Sequence, residues 1–440
     1  MKLPGYPGRY CLGFRRRALR YDEIFRDIVT TIVNDYAGYD EKKLRHDAMH
    51  FSAAFQELEE EGKLNDLVFM RMMNEYLVTL QDRNLQFRLK DSAEYQAHTN
   101  GFDVRSFGGK LYVTRVDQET RLAPGDQIAV MDATLPELFK KQMQKNCLAA
   151  DVEERELWGP VLKMTNRMMI KRPDGTLKNI TLKKYPLKKK LPRLGGRLIG
   201  KDTLYLDLPH FAEEEAVEKL IAAKEKSLGR CRKLILDLRH NIGGNETAFL
   251  PLLDYIFPEE VLVRDLYEEQ GLYTKYTENN CRRKKEMFAQ YLSQTDGAAK
   301  ALVEELMAEL DEKIGQGSVW EEDVELAEDE TVVGGRCVAD KIIILSDTYC
   351  EYAGETFIQL CKKSPRVTVI GRPTMGNVDY CNPISVLYDD KFTFTYPISK
   401  TKAAMEGTGV SGKGVSVDQY IPWTPVECTL DVILNRALAV

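Results

Sequence analysis

The chain has 440 residues, enough for two or three domains at roughly 150 residues per domain. Its 62 Lys and Arg residues stand against 68 Asp and Glu residues, and this formal net charge of −6 argues against a protein that coats nucleic acid, which needs a basic face. A composition of 43% hydrophobic and 30% charged residues is typical of a globular protein, and no run of about 18 apolar residues predicts a membrane-spanning helix.

The N-terminal segment and the cysteines favour a cytoplasmic location. No apolar stretch follows Arg15–Arg17, so we expect no secretory signal. The 9 cysteines include no C-x-x-C pair, which favours reduced thiols. No group of His, Cys or carboxylate residues has the spacing of zinc ligands, and we expect no metal site.

Three amphipathic stretches open the chain. Apolar residues repeat at helical spacing between Ile24 and Leu80, which predicts three packed helices. A turn at 82–84 then leads into alternating apolar residues at 85–89, the pattern of a strand. We expect a helical N-terminal region over residues 20–90.

A β-rich module is predicted over residues 95–187. Short strand-like segments such as 110–116 are separated by turns at Pro124-Gly125-Asp126 and Pro173-Asp174-Gly175. Within the module, a helix is expected at 135–145.

Beyond the basic linker Lys183–Arg193 the pattern changes to alternating strands and helices. The continuous apolar runs 233–238, 342–345 and 367–370 are typical of strands buried on both faces of a mainly parallel sheet. The fold class is therefore α/β and multidomain, with an α/β core over 197–440 that carries an insertion at 258–331.

Two loops at the carboxyl ends of core strands are the predicted site, because ligands of open α/β sheets bind there. Gly243 and Gly244 allow backbone amides to approach a ligand, as an oxyanion hole requires, although a Gly-Gly pair is more often only a turn. The second loop, 346–352, connects a strand sharply to a helix, which is where a nucleophile would be presented.

The run Asp237-Leu238-Arg239-His240-Asn241-Ile242-Gly243-Gly244 resembles the signature of the carboxyl-terminal processing, or tail-specific, serine proteases. The strand after Pro124-Gly125-Asp126 resembles the end of their PDZ-like domain, and Asp82-Arg83-Asn84 stands where they usually have Asp-Gly-His. Segments 371–376 and 412–418 also resemble the family. This resemblance implies a PDZ-like module at 95–187, a ClpP/crotonase-like protease core and no cofactor.

The resemblance fails at both residues of the catalytic dyad. The family's Ser begins a Ser-Ala-x-Glu segment, and Tyr352-Ala353-Gly354-Glu355 stands in its place. The family's Lys ends Thr-x-Gly-Lys, whereas this chain has Asn377. Such a Lys removes the hydroxyl proton of the Ser, and an Asn amide cannot act as a base near neutral pH. The amides of Gly243, Gly244 and Ala353 remain as oxyanion-hole donors by resemblance.

Three functions stay open at this point. The first is a catalytically impaired pseudopeptidase that binds peptides or protein C-termini, with Gly101 and Phe102 of the PDZ-like module holding a terminal carboxylate. The second is an active peptidase that uses Cys350 or His210, although Cys350 is more simply a small residue packed at a turn. The third is an adaptor that uses Lys183–Arg193 on nucleic acid or a membrane. For the pseudopeptidase we expect no nucleic-acid or membrane partner, and the oligomeric state is left open.

Overall fold

The computed structural model describes residues 20–90, 98–137, 152–187, 191–267, 271–292, 295–323, 326, 328 and 330–440. Most of the helix predicted at 135–145 and the middle of the linker Lys183–Arg193 lie outside these ranges. None of the helices in the described ranges is long and apolar enough to cross a membrane.

The helices of the described residues are Tyr21–Asn34, Tyr39–Lys42, Ala48–Glu60, Asp66–Thr79, Gly159–Met164, Glu214–Leu228, Leu250–Leu253, Val263–Leu266, Glu278–Leu292, Gly297–Lys313, Ala353–Cys361, Lys402–Met405 and Val432–Ala439. The strands are β1 (Gln86–Leu89), β2 (His98–Thr99), β3 (Phe102–Phe107), β4 (Lys110–Val116), β5 (Gln127–Met131), β6 (Arg167–Lys171), β7 (Leu177–Thr181), β8 (Tyr185–Pro186), β9 (Gly195–Ile199), β10 (Thr203–Asp207), β11 (Lys233–Asp237), β12 (Val261–Leu262), β13 (Gly271–Tyr276), β14 (Gly317–Glu322), β15 (Val332–Val333), β16 (Lys341–Ser346), β17 (Val367–Gly371), β18 (Tyr380–Tyr388), β19 (Phe392–Lys400) and β20 (Gln419–Tyr420).

The N-terminal helices share their core with strands from the far end of the chain. They pack on an antiparallel sheet in which β19 pairs with β1, β13 and β18, and β13 pairs with β14. The rings of Phe87 and Phe392 stack there with centroids 5.2 Å apart. Residues 258–331, expected as an insertion on the α/β core, thus supply β13 and β14 to the sheet that carries the N-terminal helices.

The β-rich segment forms a five-stranded antiparallel sheet in the order β3-β4-β5-β6-β7. Its inward-facing side chains, among them Val113, Ile128 and Ile170, make a separate hydrophobic core. The strands expected from alternation are therefore present in this segment.

The α/β core contains a six-stranded sheet in the order β20-β17-β16-β11-β10-β9, parallel except for the edge strand β9. Leu234 and Leu236 face one apolar cluster and Ile235 faces another, which explains why the sequence of β11 is apolar without alternation. The helix Glu214–Leu228 covers the first face and the helix Val432–Ala439 covers the second. The predicted mainly parallel sheet is present.

A buried ion network joins the β-rich segment to this core. Asp347, in the loop after β16, accepts hydrogen bonds from Arg105 of β3 at 2.6 Å and from Arg372 at 2.9 Å. Arg372 also pairs with Glu427 at 2.7 Å. Burial by itself raises the pKa of Asp347, but the two guanidinium groups outweigh it and hold that pKa well below its usual range.

Candidate active site

Tyr352 occupies a strained turn between β16 and the helix Ala353–Cys361. Its backbone has φ of 51° and ψ of −123°, a combination that L-residues rarely adopt. The turn passes so close to Gly243 that a Cβ added there would lie 2.7 Å from Tyr352 Cβ. Gly243, itself at φ of 77°, therefore has to be glycine, and the two predicted loops meet at residue 352.

The buried carboxylate of Glu355 holds this turn and the loop 374–377 together. Its oxygens accept hydrogen bonds from Thr374 Oγ1 at 2.5 Å, Gly376 N at 2.6 Å, Asn377 N at 2.7 Å and Tyr352 N at 3.2 Å. Burial raises the pKa of Glu355, and these donors oppose that rise. The carboxylate is thus used to fix the backbone of the site.

Asn84, Tyr352 and Asn377 are brought together from three separate segments. Tyr352 Oη donates to Asn84 Oδ1 at 3.3 Å, and Asn84 Nδ2 donates to the carbonyl oxygen of Asn377 at 3.0 Å. Asn377 Nδ2 donates to Glu351 Oε2 at 3.0 Å, while Asn377 Oδ1 is buried without a hydrogen-bond partner. The hydroxyl of Tyr352 therefore faces a neutral amide, which cannot remove its proton.

The ionisation of Tyr352 also disfavours it as a nucleophile. Partial burial, followed by the neighbouring Glu351 charge, raises the pKa of Tyr352 above its ordinary value of 10.0. Burial likewise raises the pKa of Glu351. The phenol therefore stays protonated at neutral pH, and a protonated phenol is a poor nucleophile.

Of the three amides expected in an oxyanion hole, one is already engaged. Gly243 N–H donates to Asn241 Oδ1 at 2.8 Å. The amides of Gly244 and Ala353 make no hydrogen bond to another described residue, and Gly244 is exposed. Two of the donors can therefore still receive a carbonyl or carboxylate oxygen of a ligand.

Neither alternative catalytic residue is presented for chemistry. Cys350 has no exposed surface, and burial raises the pKa of its thiol well above the ordinary value, which disfavours the reactive thiolate. His210 is 2% exposed; its Nε2 lies 2.9 Å from the carbonyl oxygen of Pro192, and its Nδ1 accepts Ala212 N–H at 3.2 Å. Both ring nitrogens of His210 thus contact backbone groups.

Gly101 and Phe102 lie on the β-rich segment, away from the contacts around Tyr352. Gly101 N–H donates to Thr99 Oγ1 at 3.1 Å, and its carbonyl oxygen accepts the amides of residues 117–119. Phe102 is buried in the core of the segment. The amide of Gly101 is therefore not available to a peptide carboxylate in this conformation, and binding at this pair stays a prediction.

A small pocket, partly open to solvent, lies beside the loop that leads to Tyr352. Its lining includes Arg83, Arg155, Thr348, Tyr349, Met375 and Gly376. The sequence did not predict Arg83, Asn84 or Arg155 as site residues. For Arg83 and Asn84, the one signal was that residues 82–84 stand where the family usually has Asp-Gly-His. Within the described residues, no cluster of His, Cys, Asp and Glu side chains could hold a metal ion.

The comparisons with known proteins agree with this architecture. The family model of peptidase family S41 matches residues 202–421, half of the chain. No protein of curated function matches the sequence significantly.

Among solved structures, mature CPAF has 12% sequence identity and a TM-score of 0.62 over 95% of each chain. Mature CPAF complexed with lactacystin has 11% identity and a TM-score of 0.61, over 95% of this chain and 97% of that one. At these identities the two structures show a shared fold. The resemblance to the tail-specific proteases is thus confirmed at the level of the family: this chain belongs to peptidase family S41.

Proposed function

We propose that this chain is a catalytically impaired member of family S41 that binds peptides or protein C-termini without cleaving them. The observation that carries the proposal is the side chain at the turn before the helix Ala353–Cys361. A tyrosine occupies the position of the family's nucleophile, and its hydroxyl contacts the amide of Asn84 at 3.3 Å. Acyl transfer needs an activated nucleophile, and this arrangement offers none.

Peptide binding is the part of the family's function that the site can still support. The N–H groups of Gly244 and Ala353 make no hydrogen bond to a described residue, so they can donate to a carbonyl oxygen of a peptide. Ile242 and Tyr352 are 48% and 38% exposed at this edge, which gives a bound peptide apolar surface to cover. The site can therefore bind peptides even though it does not cleave them.

The finer domain assignments belong to the same proposal. We take residues 95–187 as a PDZ-like module, supported by their separate antiparallel sheet and core. We take the core as ClpP/crotonase-like, supported by the parallel ladder β10-β11-β16-β17 with helices on both faces. The described cysteines are all unpaired, which fits the proposed cytoplasmic location.

The test is turnover of a quenched fluorogenic peptide library by the purified full-length protein. We expect no cleavage above buffer, in the wild type or in Tyr352→Phe, because the phenol is not activated. In parallel, fluorescence polarisation with labelled peptides of the same library should show binding.

Cys350→Ala and His210→Gln serve as matched variants for the alternative catalytic residues. Cleavage that disappears in any of these three variants would identify a working nucleophile or base and contradict the proposal. Binding of no peptide at all would contradict its second half.

A further inference from the structure

Glu246 connects the two elements that carry the free N–H groups of Gly244 and Ala353. It follows Gly244 by two residues, in the segment after β11. Its Oε1 accepts a hydrogen bond from Thr356 Oγ1 at 2.8 Å, and Thr356 lies three residues beyond Ala353 in the same helix. Three residues of an α-helix span about 4.5 Å. The carboxylate of Glu246 therefore lies within the reach of a side chain from both free N–H groups.

The carboxylate of Glu246 is held in place by neutral groups. Its Oε2 accepts a hydrogen bond from Tyr267 Oη at 2.8 Å, as its Oε1 does from Thr356. No Lys, Arg or His among the described residues forms an ion pair with it. An ionised carboxylate has about four acceptor sites, so two hydrogen bonds leave it able to accept more. Glu246 is thus a fixed, partly exposed negative charge with no cation in contact.

A second carboxylate comes from the segment that runs beside Gly244. The backbones are in close contact, since a Cβ added at Gly244 would lie 2.4 Å from Ala212 N. Two residues after Ala212, the exposed Glu214 accepts a hydrogen bond from Asn245 Nδ2 at 3.1 Å, and Asn245 directly precedes Glu246. Two negative charges from different elements therefore lie beside the free N–H groups, and a cation that approaches this edge is attracted by both.

The kind of cation follows from the number of carboxylates. A divalent metal ion needs several protein ligands, and the described residues contain no group of three or more His, Cys, Asp and Glu side chains that could hold one. An ammonium or guanidinium group needs only hydrogen-bond acceptors of opposite charge. The edge therefore fits the side chain of Lys or Arg.

From this geometry we infer that Glu246 selects peptides with a basic side chain within one or two residues of the carbonyl group held by Gly244 and Ala353. The two N–H groups fix the peptide backbone, and a Lys or Arg side chain then reaches the carboxylate. Hydrogen bonds between charged groups are about twice as strong as those between neutral groups. The inference rests on the proposed function and names the side chain that the site prefers.

The experiment measures the affinity of fluorescein-labelled peptide pools for the full-length protein by fluorescence polarisation. All pools consist of short peptides of uncharged residues with a free C-terminus. Each of the last four positions is fixed in turn as Lys, as norleucine, which lacks only the ammonium group of Lys, or as Glu. At one position we expect the Lys pool to bind about tenfold more tightly than the norleucine pool, and the Glu pool to bind more weakly than both.

Variants of Glu246 test whether its charge causes this preference. Glu246→Gln should bring the Lys and norleucine pools to equal affinity, whereas Glu246→Asp keeps the charge on a shorter side chain and should retain part of the preference. The matched control is Glu218→Gln, because Glu218 is exposed on the helix Glu214–Leu228, and it should bind every pool like the wild type. With the wild type, added salt should weaken binding of the Lys pool and spare the norleucine pool.

Equal affinity of the wild type for Lys and norleucine at all four positions would overturn the inference and leave peptide binding intact. A preference for Lys that survives Glu246→Gln, that Glu218→Gln also removes, or that salt does not weaken would overturn it too. If Glu246→Gln binds neither pool, the residue supports the whole site and not its preference, which also contradicts the inference. Binding of no pool by the wild type would contradict the proposed function itself.

Discussion

At the scale of single residues, Tyr352 has a backbone conformation that the surrounding contacts impose on it. Holding a tyrosine at φ of 51° costs roughly 1–3 kcal/mol of conformational free energy. In an enzyme, such strain is tolerated where it presents a catalytic side chain to the substrate. Glu355 and the close approach of Gly243 hold the turn in this shape. The strain therefore belongs to the scaffold and does not depend on the side chain that sits there.

This leads to a comparison of two truncations, Tyr352→Gly and Tyr352→Ala. Both remove the exposed ring and its contact with Asn84, but only glycine adopts the positive φ without strain. We expect the glycine variant to be more stable than the alanine variant by about 1 kcal/mol in urea unfolding. An alanine variant of equal or higher stability would show that the turn relaxes once the ring is removed.

At the scale of elements, the strand–turn–helix unit is held to the loop 374–377 by one side chain. Glu355 accepts one hydrogen bond from a hydroxyl and three from backbone amides, and every one of these donors points at a carboxylate oxygen. The unit and the loop thus form a single support for the Tyr352 site.

Glu355→Gln tests this support. The amide NH₂ group that replaces one oxygen would face N–H donors, so buried donors lose their acceptor, and we expect a loss of about 3 kcal/mol in the free energy of unfolding. Glu218→Gln on the exposed face of the helix Glu214–Leu228 is the control and should change stability by less than about 0.5 kcal/mol. Similar unfolding midpoints for the two variants would contradict the role of Glu355.

Sequence patterns predicted the elements of this unit but not its partners. The apolar runs of β11, β16 and β17 follow from burial on both faces, so a mainly parallel sheet could be predicted, whereas the order of its strands could not. Tyr352 and Asn84 are in contact although 268 positions of the chain separate them. Local sequence patterns cannot predict a contact between residues so far apart in the chain. The positive φ of Tyr352 is likewise imposed by the surrounding contacts, since nothing in a tyrosine favours it.

At the scale of the whole molecule, Asp347 connects the β-rich segment to the core. The pKa of this carboxyl is held far below its usual range. Its ion pairs therefore stabilise the fold at pH values above the pKa of about 4 that an Asp has in the unfolded chain, and this stabilisation is lost as the pH falls. The junction between the two units should therefore be the acid-sensitive part of the structure.

Unfolding free energies measured between about pH 7 and pH 2 test this expectation. Asp347→Asn leaves Arg105 and Arg372 without their shared partner and should lose about 3–5 kcal/mol at neutral pH, with a shallower further loss in acid than the wild type. Asp340→Asn removes an exposed pair with Arg232 and should follow the wild type within about 1 kcal/mol. Parallel acid curves for Asp347→Asn and the wild type would exclude Asp347 as the sensitive group.

The antiparallel sheet under the N-terminal helices has a consequence for synthesis on the ribosome. The helices between Tyr21 and Thr79 emerge early, but the strand that completes their core, β19, begins only at Phe392. Until nearly all of the chain has been made, Phe69 and Phe87 have no partner strand to cover them, and such exposed apolar surface promotes aggregation. We therefore expect fragments that stop before β19 to accumulate as insoluble protein.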